Sequence, residues 1–184
     1  MKQPQTEIKV FLASSSELEL ERTYIGDFFN DINSLIIEKP VRLRLLKWEV
    51  FDPLFKGERK QTEYAQQIKK SDIFFVLFHT KAGKYTIEEI KVAKSAHAEM
   101  QKPQELYCFF KKQEKREFDE DELKTELGIN FITDIFTDIN ELKIKLIKAL
   151  SPHLGACGIT VAETEMFVMI DSVNILRKQS IGFT

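Results

Sequence analysis

The sequence predicts an α/β fold, a doubly wound parallel sheet of five strands. Three observations carry this reading. Five short runs rich in β-branched and aromatic residues alternate with stretches of helical apolar spacing. One run, DIFFVLFHT (72–80), hardly alternates, which is the pattern of a strand buried on both faces. Three of the intervening stretches open with Ser, Thr or Asp followed three residues later by Glu, the spacing of a capping box. Regular alternation of strand and helix gives parallel strands joined by crossovers.

Each element follows in order. IKVFLA (8–13) is the first strand. After SSSE, Ile25, Phe28, Ile32, Leu35 and Ile36 mark one face of a helix, with Ser16 as its expected N-cap and Glu19 completing the box. Pro40 ends that region, and VRLRLLKWEVF (41–51) alternates as a second strand. DPLFKGERK (52–60) is a loop by its Pro and Gly, and QTEYAQQIKKS is a short helix leading to the third strand. KAGK then precedes YTIEEIKVAKSAH (85–97), a helix with Ile87, Ile90, Ala93 and Ala96 inward. ELYCFF (105–110), an acidic helix around DEDELKTEL, and NFITDIF (130–136) come next. A final helix, INELKIKLIKAL, is capped by Asp138 and Glu141 and is expected to end before Pro152. Residues 1–152 thus read as one domain. Residues 153–184 read as a linker or helix, capped by Thr160 and Glu163, whose stripe of Met166, Phe167, Ile170, Val173 and Ile175 wants a partner.

Composition narrows the function. With a net charge of −2 and a pI of about 6.0, no global field draws the chain to nucleic acid or anionic lipid. No run approaches the ~18 apolar residues of a membrane span, and MKQPQTEIKV lacks the apolar segment of a signal peptide. A cytoplasmic protein with neither nucleic acid nor membrane as partner is expected. Cys108, in LYCFF, behaves as a small hydrophobe, and Cys157 lies too far along the chain to imply a disulfide framework. Phosphate-cradling glycine motifs and a nucleophile elbow are absent, and His79, His97 and His153 have no metal-ligand spacing. No metal and no cofactor are expected.

What remains is a carboxylate at a sheet edge. In doubly wound sheets ligands bind beyond the carboxyl ends of the strands, which gathers SSS, FDPLFKGERK and HTKAGKYT. At about 100° per residue, Glu88 faces solvent, whereas Glu89 lies at the rim of the buried stripe. With Thr86 as N-cap, Glu89 reads either as the far half of a capping box or as a functional group leaning into a cleft. Ser14 and Ser15 can hold an anion at the turn, or simply cap it. Trp48, Phe51, Phe55 and Tyr85 offer aromatic walls or core packing. One carboxylate, a polar turn and aromatic surface suit cleavage of an N-glycosidic bond, whose transition state is cationic at the sugar carbon.

KVFLASSSE, IKKSDIFFVLF and GKYTIEEIKVA together resemble the TIR domains of bacterial anti-phage effectors of the CBASS type, most closely those fused to STING-like sensors. The likeness spans about residues 7–152. It implies a flavodoxin-like fold and NAD+ as substrate, with Glu89 catalytic and Tyr85 in an aromatic position usually held by Trp. The expected substrate-binding residues are Ser14, Ser15, Trp48, Phe51, Asp52 and Tyr85. Activation by self-association follows from the resemblance too, with a cyclic-dinucleotide sensor domain, fused or associated, as partner. Two other functions stand beside this one: a non-enzymatic interaction module, and a nucleoside deoxyribosyltransferase-like enzyme.

Overall fold

The computed structural model describes residues 6–47, 58–113 and 115–178. Strands β1 (Thr6–Ser14), β2 (Val41–Leu46), β3 (Ile73–Phe78), β4 (Glu105–Lys111) and β5 (Phe131–Phe136) form one parallel sheet in the order β2-β1-β3-β4-β5. Helices α1 (Glu19–Leu35), α2 (Glu58–Lys70), α3 (Lys84–Met100), α4 (Glu120–Leu127) and α5 (Ile139–Ala156) connect and follow them. This is the doubly wound arrangement read from the sequence, with the flavodoxin-like strand order.

Two apolar layers hold it together. On one side of the sheet Ile25, Phe28, Phe29 and Ile32 of α1 and Leu142, Leu146 and Leu150 of α5 pack on Val10, Leu12, Phe75 and Leu77. On the other, Ile68 of α2, Ile90 and Ala93 of α3, and Leu123 and Leu127 of α4 pack on Phe11, Ala13, Phe74, Val76 and Phe78. All six residues of β3 are buried, because helices cover both of its faces. Each such side chain contributes about 1.5–3 kcal/mol of burial. The exposed edge of β2 is guarded locally: the Asn33 amide donates to Leu43 O at 2.9 Å and accepts from Leu43 N at 2.8 Å, standing in for a neighbouring strand.

Three expectations need correction. The chain enters α1 through a 3-10 turn, Ser16–Leu18, so Ser16 is not the N-cap of the long helix. Pro152 sits inside α5, which runs on past it and buries Leu154. The segment after α5 is not a helix. Strands β6 (Val161–Glu163), β7 (Phe167–Ile170) and β8 (Val173–Arg177) form an antiparallel sheet. Asp171 and Ser172 take positive φ, 45° and 70°, and turn β7 back into β8. The alternation Val168, Ile170 then points inward and joins the α1/α5 layer of the core. Of the five apolar residues read as a helical stripe, Phe167 and Ile170 therefore belong to β7, and Val173 and Ile175 to β8. No helix among the described residues is long and apolar enough to cross a membrane.

Candidate active site

Parallel pairing sets Ser14 beside Leu77, so the carboxyl ends of β1 and β3 lie together. The chain leaves β3 through residues 79–83 and enters α3 with Gly83 as N-cap, whose backbone is extended at φ −64° and ψ 140°. Ile87 N donates to Gly83 O at 3.1 Å, so helical bonding starts there. Thr86 is consequently within the helix and buried at 4% exposure; it is not the cap, and the expected capping box does not form. The structural role offered for Glu89 by the sequence disappears with it.

Glu89 is half-buried beside Ile90, and among the described residues no hydrogen bond or ion pair meets its carboxylate. Burial, followed by the neighbouring charge of Glu88, pushes its pKa up to about 8. Glu88 is 42% exposed and lies 4.0 Å from Lys84 Nζ, the surface charge its helical phase predicts. Two adjacent carboxylates thus stand in unlike settings.

The serine turn is held by Arg22 and Glu17. Arg22 Nη1 donates to Ser14 Oγ at 2.7 Å and to Ser15 O at 2.9 Å. Ser14 accepts that bond, which leaves its own proton to donate elsewhere. Ser15 is buried at 6% exposure and donates its hydroxyl to Glu17 Oε1 at 3.1 Å. Neither serine caps α1. Tyr85 stands one turn before Glu89 but is 68% exposed, so it is a surface ring and not a buried wall. Trp48, Phe51, Asp52 and Phe55 lie outside the described residues, as does most of the loop 52–60.

Two residues of this edge went unread in the sequence. Arg22, only 1% exposed, falls on the stripe Leu18, Arg22, Ile25, Phe29, so its helical spacing already placed a guanidinium on the buried face. Glu17 accepts from Thr80 N at 2.8 Å and Lys81 N at 2.9 Å, and its other oxygen takes the Thr80 hydroxyl. Burial alone would raise its pKa, but the bonds from Thr80, Lys81 and Ser15 outweigh it and hold the group below the ordinary carboxylate range. No local pattern announces a contact between residues so far apart in sequence.

Elsewhere, a groove of about 470 Å³ runs between α1 and β2, lined by Thr23, Asn30, Asn33, Arg42, Arg44 and Lys47 among others. It contains none of the expected site residues. Among the described residues, no group of three or more His, Cys, Asp or Glu is arranged to hold a metal ion.

No family model and no curated protein matches the chain. Among solved structures it is similar to one described as the structure of Clostridium botulinum CMP N-glycosidase, BcmB. The two are 19% identical, the likeness covers 77% of this chain and 99% of that chain, and the TM-score is 0.49.

Proposed function

We propose that this chain hydrolyses NAD+ at the bond between nicotinamide and ribose, with Glu89 as the catalytic carboxylate. One observation carries the reading: a desolvated carboxylate with no partner among the described residues, in the helix that follows β3, is the complement of a cation. NAD+ brings one, the pyridinium, to the bond that breaks. Substrate charge offsets the burial cost and favours the ionised form of Glu89. As the bond lengthens, nicotinamide leaves as a neutral base with the electron pair, and the positive charge moves onto the ribose carbon. Glu89 then faces that charge, and water supplies the hydroxyl that completes ADP-ribose while one proton is released. The proposal includes activation through self-association, as the resemblance implies, and the anti-phage setting with its cyclic-dinucleotide sensor belongs to the same proposal.

The raised pKa also favours a second reading. A carboxylic acid that keeps its proton near pH 7 can protonate a neutral nucleobase as it leaves, the general-acid role required in a nucleoside or nucleotide glycosidase. The experiment is to cluster the protein artificially and incubate it with NAD+, deoxynucleosides and nucleoside monophosphates across pH 5 to 9. NAD+ hydrolysis with kcat/KM rising with pH toward about 8 is expected, because the free enzyme must lose the Glu89 proton. Turnover of a nucleoside, falling over the same range, would establish the general-acid alternative. No turnover of any substrate would leave an interaction module.

A further inference from the structure

We propose that Glu17 is the positioning residue of this site, clasping the turn that launches α3 and so fixing where Glu89 stands. The inference rests on the reading of Glu89 as the catalytic group. Residues 79–83 have left β3 and have not yet entered α3. Among the described residues, this turn is held on one side by Glu117, whose N donates to Thr80 O at 2.8 Å and whose side chain approaches that of Lys81 to 3.5 Å. Toward β1, the turn is tied by Glu17.

Both carboxylate oxygens are used in that tie. Oε1 receives Thr80 N, Lys81 N and the Ser15 hydroxyl, while Oε2 receives the Thr80 hydroxyl and lies 3.8 Å from His79 Nδ1. Bonds to an ionised acceptor are roughly twice as strong as neutral ones. The base of the clasp is firm, because Leu18 is fully buried and Arg22 pins Ser15 O from below. The clasp therefore spans the junction of β1 and β3, the point where this strand order reverses direction. From Lys84 onward the chain is a helix packed through Ile90 and Ala93, so movement of the launching turn is passed to Glu89. A displacement of about 1 Å in a reacting group can cost on the order of 100-fold in rate.

The test compares wild type, Glu17→Gln and Glu17→Asp, with Glu163→Gln as control; Glu163, at the end of β6, pairs with Lys148 of α5 and with Lys178 just past β8. Gln keeps the length and loses the charge, whereas Asp keeps the charge and is one methylene too short to reach the turn. Both Glu17 variants should lower kcat for NAD+ by roughly 10–100-fold with KM little changed. Both should also speed amide exchange across residues 80–90 at least about tenfold, the loosening expected of a local opening. The control should alter neither. Should Glu17→Gln fail to fold, Thr80→Val removes only the side-chain donor and should shift exchange in the same direction by less. Unchanged exchange across 80–90, or full restoration by Asp, would overturn the clasp. If wild type cleaves no NAD+, the reading of Glu89 fails, and exchange alone still decides whether Glu17 holds the turn.

Discussion

Glu89 occupies a place that costs stability. Its carboxyl has an ordinary pKa of 4.5 in the unfolded chain and about 8 in the folded one. Below pH 4.5 both states carry the proton and the difference costs nothing. Between 4.5 and 8 the unfolded chain releases its proton while the folded chain keeps it, so stability falls as pH rises. Glu89→Gln removes the titration and keeps the shape. Its melting temperature should match wild type at pH 4 and exceed it at pH 8, by roughly 2–4 °C for each kcal/mol relieved. A melting-temperature difference independent of pH would mean that Glu89 is not desolvated. The same substitution should abolish NAD+ loss, whereas Glu88→Gln should change it by less than about twofold, since the Glu88 side chain is 42% exposed and beside Lys84. Equal losses from the two variants, measured as nicotinamide released, would remove Glu89 from the mechanism. Helical phase alone distinguished these neighbours in the sequence, because an arc of 100° separates a solvated side chain from a half-buried one. The loss of its expected capping partner was not legible: Gly83 begins the helix early through a backbone conformation that no side-chain pattern records.

At the scale of elements, the sequence was read well where one periodicity ran unopposed and poorly where two competed. The run IFFVLF, short, without alternation and rich in aromatic and β-branched residues, reads as a strand buried on both faces, and it is one. Residues 160–177 fit either a period of 3.6 through Phe167, Ile170 and Val173 or a period of two through Val168 and Ile170. The tie is broken by Asp171 and Ser172, whose left-handed backbone reverses the chain, and by Asp171, which accepts from Thr160 N at 2.8 Å and donates its own N–H to Thr160 O at 2.9 Å. Lys39, just beyond α1, pairs with Asp171 at 2.8 Å, so the hairpin is fastened to the sheet domain as well as buried against it. Ile170→Ala should therefore cost about 2–5 kcal/mol, like any core deletion. Val173→Ala, at a position 47% exposed, should stay within about 0.5 kcal/mol. Denaturant melts of the two variants check this. Equal and negligible effects would mean that the hairpin folds apart from the core.

For the whole molecule, the alternation of strands and helices made the parallel, doubly wound class legible, and the flavodoxin-like order entered only with the resemblance. Its long-range contact was not: Glu17 and Thr80 are brought together only by the pairing of β1 with β3. The site as described has a carboxylate on one side of the sheet edge and an exposed Tyr85 one turn away. The expected aromatic residues Trp48 and Phe51 belong to a stretch outside the described residues. That stretch continues into DPLFKGERK, which sets Leu54 and Phe55 between charges, a composition suited to a contact between copies. If a second copy completes the site, the isolated chain in dilute solution should be nearly inactive. Tethering by a short linker raises the local concentration to roughly the millimolar range and would populate a weak contact that dilution abolishes. Nicotinamide release per molecule should then rise with protein concentration from nM to μM, and artificial multimerisation should restore it at the lowest concentrations. Leu54→Asp together with Phe55→Asp should suppress that rise, while multimers of the double variant stay inactive because the contact itself is lost. Specific activity that is high and constant over the whole range would place every catalytic requirement within one copy, and the assembly mechanism would fall while the assignment of Glu89 stood.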